Sequence, residues 1–319
     1  MAAWRPRRAG QGSRGASGGP SCAACLLQAQ GELAAAAASI EEGLALKRAQ
    51  FGAGHPDLAT FVHALVNVWW ALGERERALE AQRRALADAE AAVGPFHPQT
   101  GLIRQTLVLR LKAVGAYDEA RTRLRQALAR ESGENARVAR WETLLADFEL
   151  DEGRFAEAEP RLARAVAITE RLNGKDSVKL FLPLSGLVRA LVGLGRLAEA
   201  EATLQRLGAI LGRESGRESA TEVDLLVLEG TLRIAQGRRA DAESCFRRAR
   251  ELAARVTKEG VAAPTRMLAG LLCAARRTAP EGLQLAEQAV ALTEKSAPGS
   301  RDEAEARATL AACRAAASR

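Results

Sequence analysis

Residues 153–166 read GRFAEAEPRLARAV: a glycine, an alanine five residues later, and a second alanine seven residues after that. Nearly the same phrase returns as GERERALEAQRRAL from Gly73, GAYDEARTRLRQAL from Gly115, GRLAEAEATLQRLG from Gly195 and GRRADAESCFRRAR from Gly237. GELAAAAASIEEGL from Gly31 is an eroded copy. In TAPEGLQLAEQAV, residues 278–290, Gly282 and Ala289 hold the two small-residue places although the leading glycine is lost. Successive glycines stand 42 residues apart, apart from one 38-residue step between Gly115 and Gly153. Self-similarity at such a period marks a solenoid, in which each unit buries its apolar face only against its neighbours.

Each phrase has two halves. Before the glycine lies a stretch with apolar residues at helical spacing: Val62, Leu65 and Trp69, then Leu107 and Leu111, then Leu184, Leu187 and Leu191. The glycine supplies the left-handed conformation that ends a helix. The alanines that follow, such as Ala158 and Ala165, lie two turns apart on one face of a second helix, where a partner helix can approach closely. Linkers such as FGAGHPD and VGPFHPQ place Pro56 and Pro98 at a first helical position and make His55 and His97 turn residues rather than ligands. The expectation is an all-α, right-handed superhelical solenoid of about seven antiparallel helix pairs, with residues 302–317 as a C-terminal capping helix that presents Ala306, Leu310 and Cys313 on one face.

Composition agrees. Aromatic residues are 4% of the chain and hydrophobic ones 47%, mostly alanine and leucine, which suits helices more than sheets. The formal charge of +7 resolves into four arginines in residues 1–30 and helices of mixed sign elsewhere. That is a solvated surface rather than a basic stripe, and it argues against nucleic acid as a partner. Five scattered cysteines, an odd number, read as reduced thiols. With no apolar run long enough to cross a bilayer and no secretory leader, the expected location is cytoplasmic and no membrane is involved.

Residues 1–21 are rich in glycine, serine and arginine and are expected to be disordered, leaving 22–319 as the solenoid. Two chemical patterns hide in this tail, GQGSRG from Gly10 and GASGG from Gly15. Neither follows a strand or opens a helix, as a dinucleotide fingerprint or a nucleophile elbow must. Cys22 and Cys25 form one CxxC with no second pair, so they too read as helix residues. No catalytic residue, metal site or cofactor site is expected.

The spacing of glycine and alanines resembles the tetratricopeptide repeat. Its 42-residue period, the Gly-His-Pro linker and Glu157-Ala158-Glu159-Pro160 make it similar to the long repeats of kinesin light chain and their bacterial relatives. The chain departs from that pattern in two places. The family's asparagine nine residues before the glycine is replaced by Ala64, Thr106, Leu144, Gly186 and Leu228. Its aromatic four residues before survives only as Trp69, against Leu111, Glu149, Leu191 and Arg233.

The resemblance implies a non-catalytic scaffold that binds a protein or peptide partner on a concave face lined by the first helix of each pair. The alternative it implies is a detached or regulatory sensor portion of a larger bacterial signalling system, linked to a kinase or ATPase. Groove positions fall thirteen, ten, six, three and two residues before each glycine. In this sequence they are Thr60, His63, Asn67 and Trp70; Gln105, Leu109 and Lys112; Arg140, Thr143 and Asp147; Ser185 and Arg189; and Asp224, Val227 and Thr231. Trp69 and Trp70 point about 100° apart, so the first is expected in the core and the second in the groove.

Overall fold

A left-handed glycine follows the first helix of every complete pair that carries the phrase. Gly73, Gly115, Gly153, Gly195 and Gly237 have φ between 73° and 82°. In each case two hydrogen bonds close the helix end. Gly73 N donates to Trp70 O at 3.1 Å and Glu74 N to Trp69 O at 2.9 Å, and Gly195 and Arg196 repeat the pattern onto Val192 and Leu191 at 3.0 and 2.9 Å. This is the Schellman arrangement, which satisfies carbonyls that a helix end otherwise leaves unpaired. The seventh copy, which lacks the glycine, uses a side chain instead: the Thr278 hydroxyl donates to Leu272 O at 2.8 Å.

The computed structural model describes residues 32–52, 58–131, 133–214, 219–256, 261–275, 277–296 and 300–317. Among them are 14 α-helices, one 3-10 turn and no strand. Helix α1 (Leu33–Phe51) is the second helix of the eroded first copy. Six complete pairs follow: α2 (Leu58–Ala71) with α3 (Arg75–Val93), α4 (Pro98–Ala113) with α5 (Tyr117–Arg130), α6 (Ala136–Asp151) with α7 (Phe155–Asn173), α8 (Phe181–Gly193) with α9 (Leu197–Glu214), α10 (Ala220–Ala235) with α11 (Arg239–Val256), and α12 (Ala262–Cys273) with α13 (Ala279–Ser296). The last helix, α14 (Arg301–Ala317), packs on α12 and α13, where the sequence placed a capping helix. Pro98 opens α4 as expected, and His97 sits in the preceding turn, its Nδ1 accepting the Gln99 N–H at 3.3 Å. His55, Pro56, Cys22, Cys25 and the two tail motifs lie outside the described residues.

The chain packs as two units, one ending at Ile103 and the other beginning at Arg104. In the first, α1, α2 and α3 pack in succession around Ile40, Leu44, Phe61, Leu65, Val66 and Trp69. In the second, the pairs α6/α7, α8/α9, α10/α11 and α12/α13 stack through α7·α8, α9·α10 and α11·α12, and the first helices α6, α8 and α10 touch one another. Short connections force antiparallel neighbours, and the small residues set how closely they approach. Ala158, Ala165, Ala242 and Ala249 are fully buried. A Cβ at Gly282 would lie 2.7 Å from the Cys273 backbone nitrogen, so α13 meets α12 there backbone to backbone.

Two departures from the family pattern have physical accounts. At Gly186 a Cβ would stand 2.7 Å from a Leu162 methyl, so the missing side chain makes room for the neighbouring helix. Glu149, in the place of an aromatic residue, is 2% exposed, as is Glu142 two turns earlier. Arg161 of α7 reaches both, Glu149 at 2.9 and 3.1 Å and Glu142 at 2.9 Å, while Arg164 takes the other Glu142 oxygen at 2.8 Å. An ion network therefore stands where the family puts a ring.

The cysteine expectation needs correction. Cys273 of α12 and Cys313 of α14 form a disulfide, with Cα atoms 5.2 Å apart. Their 40-residue separation hid the pairing in the sequence; stacking the cap on α12 brings the two faces together. Cys245 is free. The reading of all thiols as reduced, one premise of a cytoplasmic location, does not hold for this pair.

Candidate functional site

In the second unit, polar residues of the first helices α4, α6 and α8 converge. Lys112 of α4 pairs with Asp147 of α6 and, at 2.8 Å, with Asp151 one turn further along. Arg189 of α8 bridges the same two carboxylates, at 2.8 Å to Asp147 and 3.1 Å to Asp151. Above them, Arg140 donates to Gln105 at 2.6 Å. Helix geometry explains the convergence, because positions three and six before each glycine lie about one turn apart on one face.

Lys112, Asp147, Asp151 and Arg189 line an open cleft of about 420 Å³ together with Leu109, Ser300, Arg301, Asp302 and Glu305. Burial pulls the Asp147 carboxyl upward, but the Lys112 and Arg189 charges outweigh it and hold it below the usual carboxylate range. Arg301, which begins α14, forms an ion pair with Asp151, lies 2.7 Å from Glu305 and donates to the Tyr117 hydroxyl at 3.3 Å. Tyr117 in turn packs edge-on against Phe148.

The sequence-derived set thus divides. Lys112, Asp147 and Arg189 meet in one knot, and Gln105 and Arg140 pair beside it. The Thr143 and Thr231 hydroxyls are turned onto their own helices, donating to Ala139 O and Val227 O at 2.8 Å. Ser185 Oγ is buried and makes no hydrogen bond. His63, Asn67 and Trp70 belong to the first unit. His63 is exposed and Asn67 half-buried. Trp69 is 7% exposed, in the core as expected, with the Arg77 guanidinium 4.2 Å from its ring centroid. Trp70 is half-buried against the same core, with Arg75 over its ring at 5.6 Å.

Two participants were not among the residues singled out. Asp151, two residues before Gly153, occupies a position that the resemblance itself names. Arg301 comes from a helix about 150 residues further along the chain, and no repeat position points to it. Among the described residues no group of three His, Cys, Asp or Glu is arranged to hold a metal, and no helix is long and apolar enough to cross a membrane.

Family models for the tetratricopeptide repeat match residues 21–57, 58–99 and 137–211. No curated protein sequence matches the chain. Among solved structures, BtubC (BKLC) from P. vanneervenii is 22% identical with a TM-score of 0.57, over 71% of this chain and 91% of BtubC. The kinesin light chain TPR-like repeats of Podosopora anserina are 22% identical at 0.50, over 60% of this chain and 92% of theirs. Rap protein complexed with Competence and Sporulation Factor is 14% identical at 0.53, over 93% and 74%. At these identities the likeness is one of fold. The chain therefore contains tetratricopeptide repeats, and its fold is similar to that of kinesin light chain-like repeats.

Proposed function

We propose that the chain is a non-catalytic scaffold that holds a protein partner, as a peptide segment or a folded surface, on the concave face formed by its first helices. Repeats of this kind generally mediate protein–protein interaction. The observation that carries the assignment to this face is the cleft at Lys112, Asp147, Asp151 and Arg189, where four charged groups from three helices converge on one opening. Arginine and half-desolvated ion pairs are the residues and geometry that binding interfaces favour. Rap protein, similar in fold, is itself complexed with a factor.

Affinity capture from extracts of the source organism tests the reading. The wild-type chain should retain a protein that Asp147→Ala/Asp151→Ala loses, while Arg196→Ala/Glu199→Ala, at the base of the second helix α9, keeps it. Capture that survives the cleft substitutions, or turnover by the purified chain with no partner retained, would overturn it.

A further inference from the structure

The cleft already has an occupant from the same chain. One face of α14 is anchored: Glu303, Ala306 and Cys313 are buried, and the disulfide to Cys273 ties the helix to α12. Ser300, Arg301, Asp302 and Glu305 lie outside that anchorage and line the cleft opposite Lys112, Asp147, Asp151 and Arg189. We propose that this first turn is an internal stand-in for the partner, and that the partner binds through an Arg-x-x-x-Glu segment whose arginine takes the seat of Arg301 on Asp151. The proposal rests on the scaffold reading above and names the ligand chemistry of the same site.

Three observations support it. First, the turn is held over the cleft by polar contacts: Arg301 to Asp151 and Tyr117, and Glu305 to Arg266 at 2.9 Å. Arg301 and Glu305 keep 31% and 32% of their side-chain surface exposed, so a competing segment can reach both. Second, the Asp151 side chain is only 8% exposed. Its Oδ2 pairs with both Lys112 and Arg301, so the seat is already built for a guanidinium. Third, the wall without α14 is balanced, with Lys112 and Arg189 against Asp147 and Asp151. A carboxylate ligand would have to pull both cations from their aspartates, whereas an arginine replaces Arg301 like for like. Arg266 of α12 then receives the acidic residue one turn later, as it now receives Glu305.

Fluorescence anisotropy with a labelled peptide of residues 300–310, SRDEAEARATL, tests the seat on the full oxidised chain. The tethered turn competes at a high effective concentration, so Arg301→Ala should bind the peptide about tenfold more tightly than wild type. Asp151→Asn/Arg301→Ala should lose that gain. Amide exchange supplies a readout that needs no ligand: Arg301→Ala should speed exchange at residues 301–305 and leave 306–317 unchanged. Equal peptide affinity for wild type and Arg301→Ala, a gain that persists in the double variant, no binding by any variant, or unaltered exchange at 301–305 would each overturn the proposal. A captured partner held equally by wild type and Arg301→Ala, but lost by Asp147→Ala/Asp151→Ala, would reject the stand-in and leave the scaffold reading intact.

Discussion

Gly195 and Gly208 sit in one hairpin and should respond oppositely to the same substitution. Gly195 has φ +73° and nothing within 4 Å of an added Cβ, so alanine there meets only the left-handed backbone penalty. Gly195→Ala should lower stability by roughly 1–2 kcal/mol. Gly208 lies inside α9, where a Cβ would make an ordinary 3.8 Å contact with Leu225, and Gly208→Ala should raise stability by about 0.5–1 kcal/mol. Thermal melts of the two variants check both signs. Trp69→Ala, which empties a core position, should cost roughly 3–5 kcal/mol by the same measurement. At this scale the sequence was legible where backbone chemistry dictates the residue, as at the five glycines. Lys112, Asp147 and Arg189 were legible for a related reason, because repeat spacing fixes which way a helix residue points. Thr143 and Thr231 had the right spacing too, but their hydroxyls bond to their own helices, and spacing does not reveal that competition.

Between elements, the joint of α6 and α7 depends on charge. Glu142 and Glu149 are held by Arg161, itself mostly covered. Arg161→Met should destabilise by about 3–5 kcal/mol, because it leaves Glu149 buried without its cation. Replacing Glu149 by leucine in the same variant should recover part of that loss in a chemical melt. The joint of α4, α6 and α8 carries a pH signature. Asp147 has a folded pKa below its unfolded value, so its stabilising contribution is complete above the unfolded carboxylate range, near pH 4. It disappears as pH falls through the lower folded value. Asp147→Asn should therefore melt below wild type at pH 7, and the gap should close on acidification beneath both values. The pairing of these helices could be read from the glycine–alanine phrase. The network at Glu149 could not, since a lone glutamate in a helix reads as surface until its arginine is placed beside it.

At the scale of the whole molecule, the array ends on a covalently held cap. Reduction, or Cys313→Ser, removes a crosslink spanning 40 residues and should lower stability by about 2–4 kcal/mol, seen as a lower melting temperature that reductant no longer shifts in the variant. The run of helix pairs followed from one repeated phrase. The disulfide and the position of Arg301 did not, because each joins residues that only the stacked array brings together. The central claim, that the first-helix face is the working surface, is tested most directly by hydrogen exchange on the chain with and without its captured partner. Binding should protect residues 136–151 and 181–193 and leave 155–173 and 197–214 unchanged. Protection confined to those second helices would contradict it.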